Sequence, residues 1–205
     1  MYRIRLFLFT PFLLLLAAAC YAQTSRAQPS RPPQAALPQP TPYEFETRLE
    51  TLMSVTGAVV VKGYTRVGSM SGSRGAANLT AWEVTEVGSG NTERGVEVEI
   101  SDSTQNRPDF EERAYVDYDE LTPLLKGIDQ IMRLDDKATK LARFEEQYQT
   151  LGGLVLVTIN TSNGYAAAIS TGGGRRPRFV LRPTGLAEFR NLLESAKDVL
   201  DNARG

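Results

Sequence analysis

Residues 154–170 read LVLVTINTSNGYAAAIS: an apolar run over Leu154–Ile159, the pair Asn163-Gly164, and a second strand-like run over Tyr165–Ser170. Asn and Gly enter the left-handed backbone region of a tight hairpin turn at the least steric cost. The spacing therefore predicts two antiparallel strands joined at Asn163-Gly164. Working outward, Gly152-Gly153 predicts a turn before this hairpin. Lys140–Gln149 carries Leu141, Phe144 and Tyr148 at helical spacing but also Ala142, Phe144 and Tyr148 on one strand face, and the strand reading is favoured. Phe179–Leu181 adds a short strand, and Leu186, Phe189, Leu193, Ala196 and Leu200 then share one face of a closing helix.

The preceding part of the chain repeats this strand-then-helix order. Ala58–Tyr64 and Leu79–Val87 are rich in β-branched and aromatic residues, and Val96, Val98 and Ile100 alternate with Glu97, Glu99 and Ser101. Ser89-Gly90-Asn91 turns the second strand into the third, whereas the glycines and serines of Gly68–Gly75 predict a loop. Ala114–Asp117 is a further short strand. It leads into a second helix with Leu121, Leu124, Leu125, Ile128, Ile131 and Met132 on one face, starting between Asp119 and Thr122 because of Pro123. A first helix is expected over 42–54, where Thr41-Pro42-Tyr43-Glu44 forms a capping signal and Phe45, Leu49, Leu52 and Met53 form the apolar stripe. Strands do not alternate with helices, so parallel crossovers are not expected. The predicted fold class is α+β: an antiparallel curved sheet or small barrel of about seven to eight strands, packed by an N-terminal, a middle and a C-terminal helix.

Ahead of this domain the composition changes twice. Residues 1–22 carry Arg3 and Arg5, an apolar run over Leu6–Leu16 and small residues over Ala17–Ala22, the three regions of a secretory signal with cleavage after Ala22. The alternative is a lipoprotein signal, in which Cys20, the single cysteine, becomes the lipid attachment site; Ala17 stands where such signals usually carry leucine. Residues 23–42 hold six prolines and four glutamines with no acid and no aromatic. That composition buries too little apolar surface to offset chain entropy and reads as a disordered tether. The expected organisation is a signal over 1–22, a tether over 23–42 and one α+β domain over 43–205. The expected location is secreted or periplasmic, or lipid-anchored to the cell envelope.

Chemistry is bounded by absences. The chain has no histidine, which excludes Ser-His-Asp and Cys-His hydrolysis and histidine ligation of zinc or haem. No Walker loop, dinucleotide fingerprint or calcium loop is present, so no cofactor is expected. With 23 basic and 24 acidic residues the charge is close to balanced, which argues against a nucleic-acid partner. Asp117, Asp119 and Glu120 form the densest acidic cluster; they are the candidate metal ligands, or else Asp119, Glu120 or both cap the start of the second helix. Gly172-Gly173-Gly174 followed by Arg175 and Arg176 is a candidate anion site or else a hairpin loop, and Glu97 with Glu99 is expected to be a solvated strand face. Trp82, Tyr64 and Tyr148 are candidates for a ligand-facing aromatic group or, more simply, core side chains. Together these features lead to the expectation of an exported, non-enzymatic binding or structural module with a protein or envelope component as partner. It would touch the membrane only through its signal or a lipidated Cys20. The alternative is a carboxylate- or metal-dependent hydrolase in the same compartment.

Overall fold

A computed structural model of the chain describes residues 47–72, 75–101, 111–134, 138–161, 164–171, 179–182 and 184–204, all within the unit Thr41–Gly205. The expected signal with Ala22 and Cys20, the tether, the capping signal at Thr41, Asn163, Arg175 and Arg176 lie outside the described residues.

The order is α1 (Arg48–Met53), β1 (Val60–Ser71), β2 (Ala76–Glu86), β3 (Thr92–Ser101), β4 (Glu111–Asp117), α2 (Tyr118–Ile131), β5 (Glu145–Gln149), β6 (Val155–Thr161), β7 (Gly164–Ser170), β8 (Phe179–Val180) and α3 (Gly185–Asn202). After α1, the chain thus makes two four-stranded meanders, each followed by a helix. Every pairing is antiparallel, as the hairpin signals require. Among the described residues, however, the strands pair as two sheets, ordered β1-β2-β3-β4 and β5-β6-β7-β8. Turn chemistry specifies neighbours within a meander. It is silent on whether β4 pairs with β5, and α2 separates them.

One cluster of buried side chains joins the inner faces of both sheets to α2 and α3, from Leu79 and Val98 through Ile128 to Leu156, Phe179 and Phe189. Although α3 follows the second meander, it packs across β1 and β2 of the first. Gly68 marks that crossing, since a Cβ there would lie 2.7 Å from a methyl of Leu192. The strand takes a bulge at this point, where the register slips between Arg66 and Gly68. Hence Gly68–Ser71 is strand and not the expected loop: a run of small residues here serves helix-on-sheet contact.

A second, smaller cluster lies on the other face of the first sheet, where Leu49 and Leu52 of α1 bury against Val84 with Trp82 and Tyr115 alongside. α1 is shorter than expected. Thr47 adopts an extended conformation and its side chain caps Glu50, so the helix starts at Arg48. α2 starts earlier than expected, at Tyr118, and Pro123 is tolerated inside it although its ring removes the bond to the Asp119 carbonyl. Gly90, with φ 72°, makes the β2–β3 turn, and Glu86 donates its N–H to Asn91.

Candidate functional site

The three carboxylates singled out from sequence go to three different partners. Asp117 ends β4 and is 3% exposed. Its two oxygens accept the N–H groups of Arg48 at 3.0 Å and Leu49 at 3.1 Å. Thr47 supplies the third acceptor, to the N–H of Glu50 at 3.0 Å. The first-turn donors of α1 are thereby satisfied from a strand distant in sequence. The Arg48 guanidinium neutralises the same corner, with Nε 3.4 Å from Asp117 and Nη2 2.5 Å from Asp119. Glu120 turns to the β5–β6 turn, where Oε1 accepts the Leu151 N–H at 2.9 Å and Oε2 is buried with no partner among the described residues. Asp117 therefore caps α1 and not α2. Among the described residues, no group of three or more acidic or cysteine side chains is placed to hold a metal ion.

Burial pushes the Glu120 carboxyl above its ordinary value of 4.5, with the charges of Asp117 and Asp119 adding and the Leu151 N–H and the nearby Asp117 backbone opposing. A carboxyl with a raised folded-state pKa binds its proton more readily when folded, so the native state gains stability as pH falls through that pKa and loses it as pH rises. Glu120→Gln removes the titration while keeping an acceptor for Leu151. The thermal midpoint of the variant minus that of the wild type is expected to grow as pH rises above the ordinary carboxyl value of 4.5. A difference independent of pH would show that burial of Glu120 carries no energetic weight.

The outer face of the first sheet holds a groove with a volume of about 550 Å³. Register places its residues on one side: Tyr64 faces Trp82, Thr80 faces Glu97, Asn78 faces Glu99, and Glu99 faces Arg113. The rings of Tyr64 and Trp82 lie 4.9 Å apart at a tilt of 38°, and Tyr64 is 66% exposed. The Trp82 indole N–H donates to Glu97 at 2.7 Å. Arg113 bridges Glu97 and Glu99, 3.2 Å from each, and Asn78 donates to Glu99 at 3.0 Å.

Glu97 is consequently 7% exposed, contrary to the expected solvated face. β3 is a central strand, and long side chains from its neighbours roof the outer row. Arg66 and Ser69 complete the groove on the β1 side. Two guanidinium groups thus face two carboxylates, and each carboxylate oxygen has a nitrogen of Trp82, Asn78 or Arg113 within 3.2 Å. Of the three aromatic candidates, Tyr64 and Trp82 meet here, whereas Tyr148 packs over Gly127 of α2 in the core. The groove was hidden in the sequence because Trp82 and Glu97 look unrelated until the β2–β3 register is known. The available signal was the chain's single tryptophan on the polar side of an alternating strand.

No protein-family model matches the sequence, and comparison with curated proteins gives no match. No helix among the described residues is long and apolar enough to cross a membrane.

Proposed function

We propose that this chain is an exported, non-enzymatic binding module, and that the outer groove of its first sheet holds a polar, charge-balanced chain such as a strand of envelope polysaccharide. The observation that carries the reading is the Tyr64–Trp82 pair standing beside a groove whose charges cancel. A sugar ring presents an apolar C–H face, which stacks on an exposed aromatic ring, and hydroxyls that both donate and accept; Arg66, Asn78, Thr80 and Glu99 offer both. Glu97 and Glu99 in the groove disfavour a phosphate backbone. The signal-like and tether-like segments support export of the chain. For a hydrolase acting through Asp117, the acid would need to reach a substrate, whereas both its oxygens are bonded to the backbone of α1.

Trp82 makes the test direct, because the fluorescence of the single tryptophan reports on the groove. Titration of the full processed chain with soluble envelope-polysaccharide fragments is expected to change its emission saturably. Tyr64→Ala, at an exposed position, is expected to weaken binding about tenfold, roughly 1.4 kcal/mol. Cell fractionation with N-terminal sequencing is expected to find the protein outside the cytosol, starting at Gln23 or at a lipidated Cys20. Cytosolic retention, or an emission change indifferent to Tyr64→Ala, overturns the reading.

A further inference from the structure

A second cavity, of about 350 Å³, opens between the end of α2, the second sheet and the start of α3. Its walls are apolar: Ile131, Leu134, Tyr165 and Leu186 line it together with Met132, and Met132, Leu134 and Tyr165 are each more than 40% exposed. The row Glu146–Thr158–Ala167, set by the β5–β6–β7 register, forms one side. Thr158 donates its hydroxyl to Glu146 Oε2 at 2.6 Å, but Oε1 of the same carboxylate is buried and has no partner among the described residues. Arg182 stands at the same cavity, exposed and with no side-chain partner among the described residues. A buried carboxylate oxygen left unpaired is costly, and such an atom marks the place of a missing donor.

We propose that this cavity binds a zwitterion of amino-acid size with an apolar side chain. Its ammonium group pairs with the Glu146 carboxylate, its carboxylate meets Arg182, and its side chain lies against Ile131, Leu134, Tyr165 and Leu186. The opposite charges of Glu146 and Arg182 select against a ligand carrying one sign alone. The volume, at the small end for ligand sites, excludes a longer chain. None of these residues belongs to the outer groove of the first sheet, so the two sites succeed or fail independently.

The probe is L-phenylalanine, titrated calorimetrically into the full processed chain alongside 2-phenylethylamine, which lacks the carboxylate, and 3-phenylpropanoate, which lacks the ammonium. Phenylalanine is expected to bind at least tenfold tighter than either. Glu146→Gln keeps an acceptor for Thr158 and is expected to level phenylalanine with 3-phenylpropanoate. Arg182→Gln, at an exposed position, is expected to level it with 2-phenylethylamine. Ala187→Trp, on an exposed turn of α3 at the mouth, is expected to abolish binding of all three. Absence of phenylalanine binding, equal binding of the three probes, or a ranking unchanged in Arg182→Gln overturns the proposal.

Discussion

Asp117→Ala is expected to lower the free energy of unfolding by about 3 kcal/mol and the thermal midpoint by roughly 10 °C. Two N–H donors at the start of α1, those of Arg48 and Leu49, lose a charged acceptor at once. Each such bond contributes on the order of 1.5–3 kcal/mol, of which water recovers part at the exposed Arg48 but little at the buried Leu49. The positive end of the helix also loses its counter-charge. Because α1 covers Val84 and the side of Trp82, its loosening is expected to shift tryptophan emission to the red. Asp117→Asn retains one acceptor and is expected to lose about half as much. Urea unfolding at unchanged m-value measures both. A loss under about 1 kcal/mol for the alanine variant would remove Asp117 from its structural role and return it to the list of candidate ligands.

Gly152→Ala is expected to cost about 3 kcal/mol, for a reason different from the usual one for glycine. A Cβ at this position would lie 1.8 Å from the carbonyl oxygen of Tyr115 and 2.7 Å from the methyl of Thr47. Tyr115 is held in β4 opposite Glu97, and Thr47 is the cap of α1, so the β5–β6 turn is the part that must move. Moving it breaks the bonds of Thr150 with Leu154 and of Leu151 with Glu120. The neighbouring Gly153 has φ 76°, and its replacement by alanine is expected to cost about 1–2 kcal/mol through backbone conformation. Asparagine, which tolerates that conformation, distinguishes the two. It is expected to rescue position 153 and to fail at position 152. Equal tolerance at both positions would show that the turn is free of β4 and α1.

Residues Thr47, Asp117, Glu120 and Gly152 thus form one junction between α1, the end of β4, the start of α2 and the β5–β6 turn. Apart from the Thr47 cap on Glu50, its contacts join residues distant in sequence. The acidic cluster was visible at 117–120, but its partners lie about 70 residues before Asp117 and 31 after Glu120, and sequence spacing offers no measure of such separations. The same limit applies to the outer groove. Alternation along β3 correctly separates Glu97 and Glu99 from Val96, Val98 and Ile100, yet alternation identifies faces and not what stands over them. Arg113 and Trp82, arriving from the strands on either side, convert a polar face into a groove.

What the amino-acid sequence determined by itself was local: the antiparallel hairpins with their turns at Gly90 and Gly153, the apolar faces of α2 and α3, and the division of β3 into an inner and an outer row. These follow from backbone sterics and from periodicities of two and 3.6 residues, which act over a single element. The tertiary structure alone decided that eight strands form two sheets, that α3 crosses to the first of them, and that Asp117 caps α1. Those outcomes depend on which apolar faces meet and on which buried donors need acceptors, and both are properties of the packed chain as a whole.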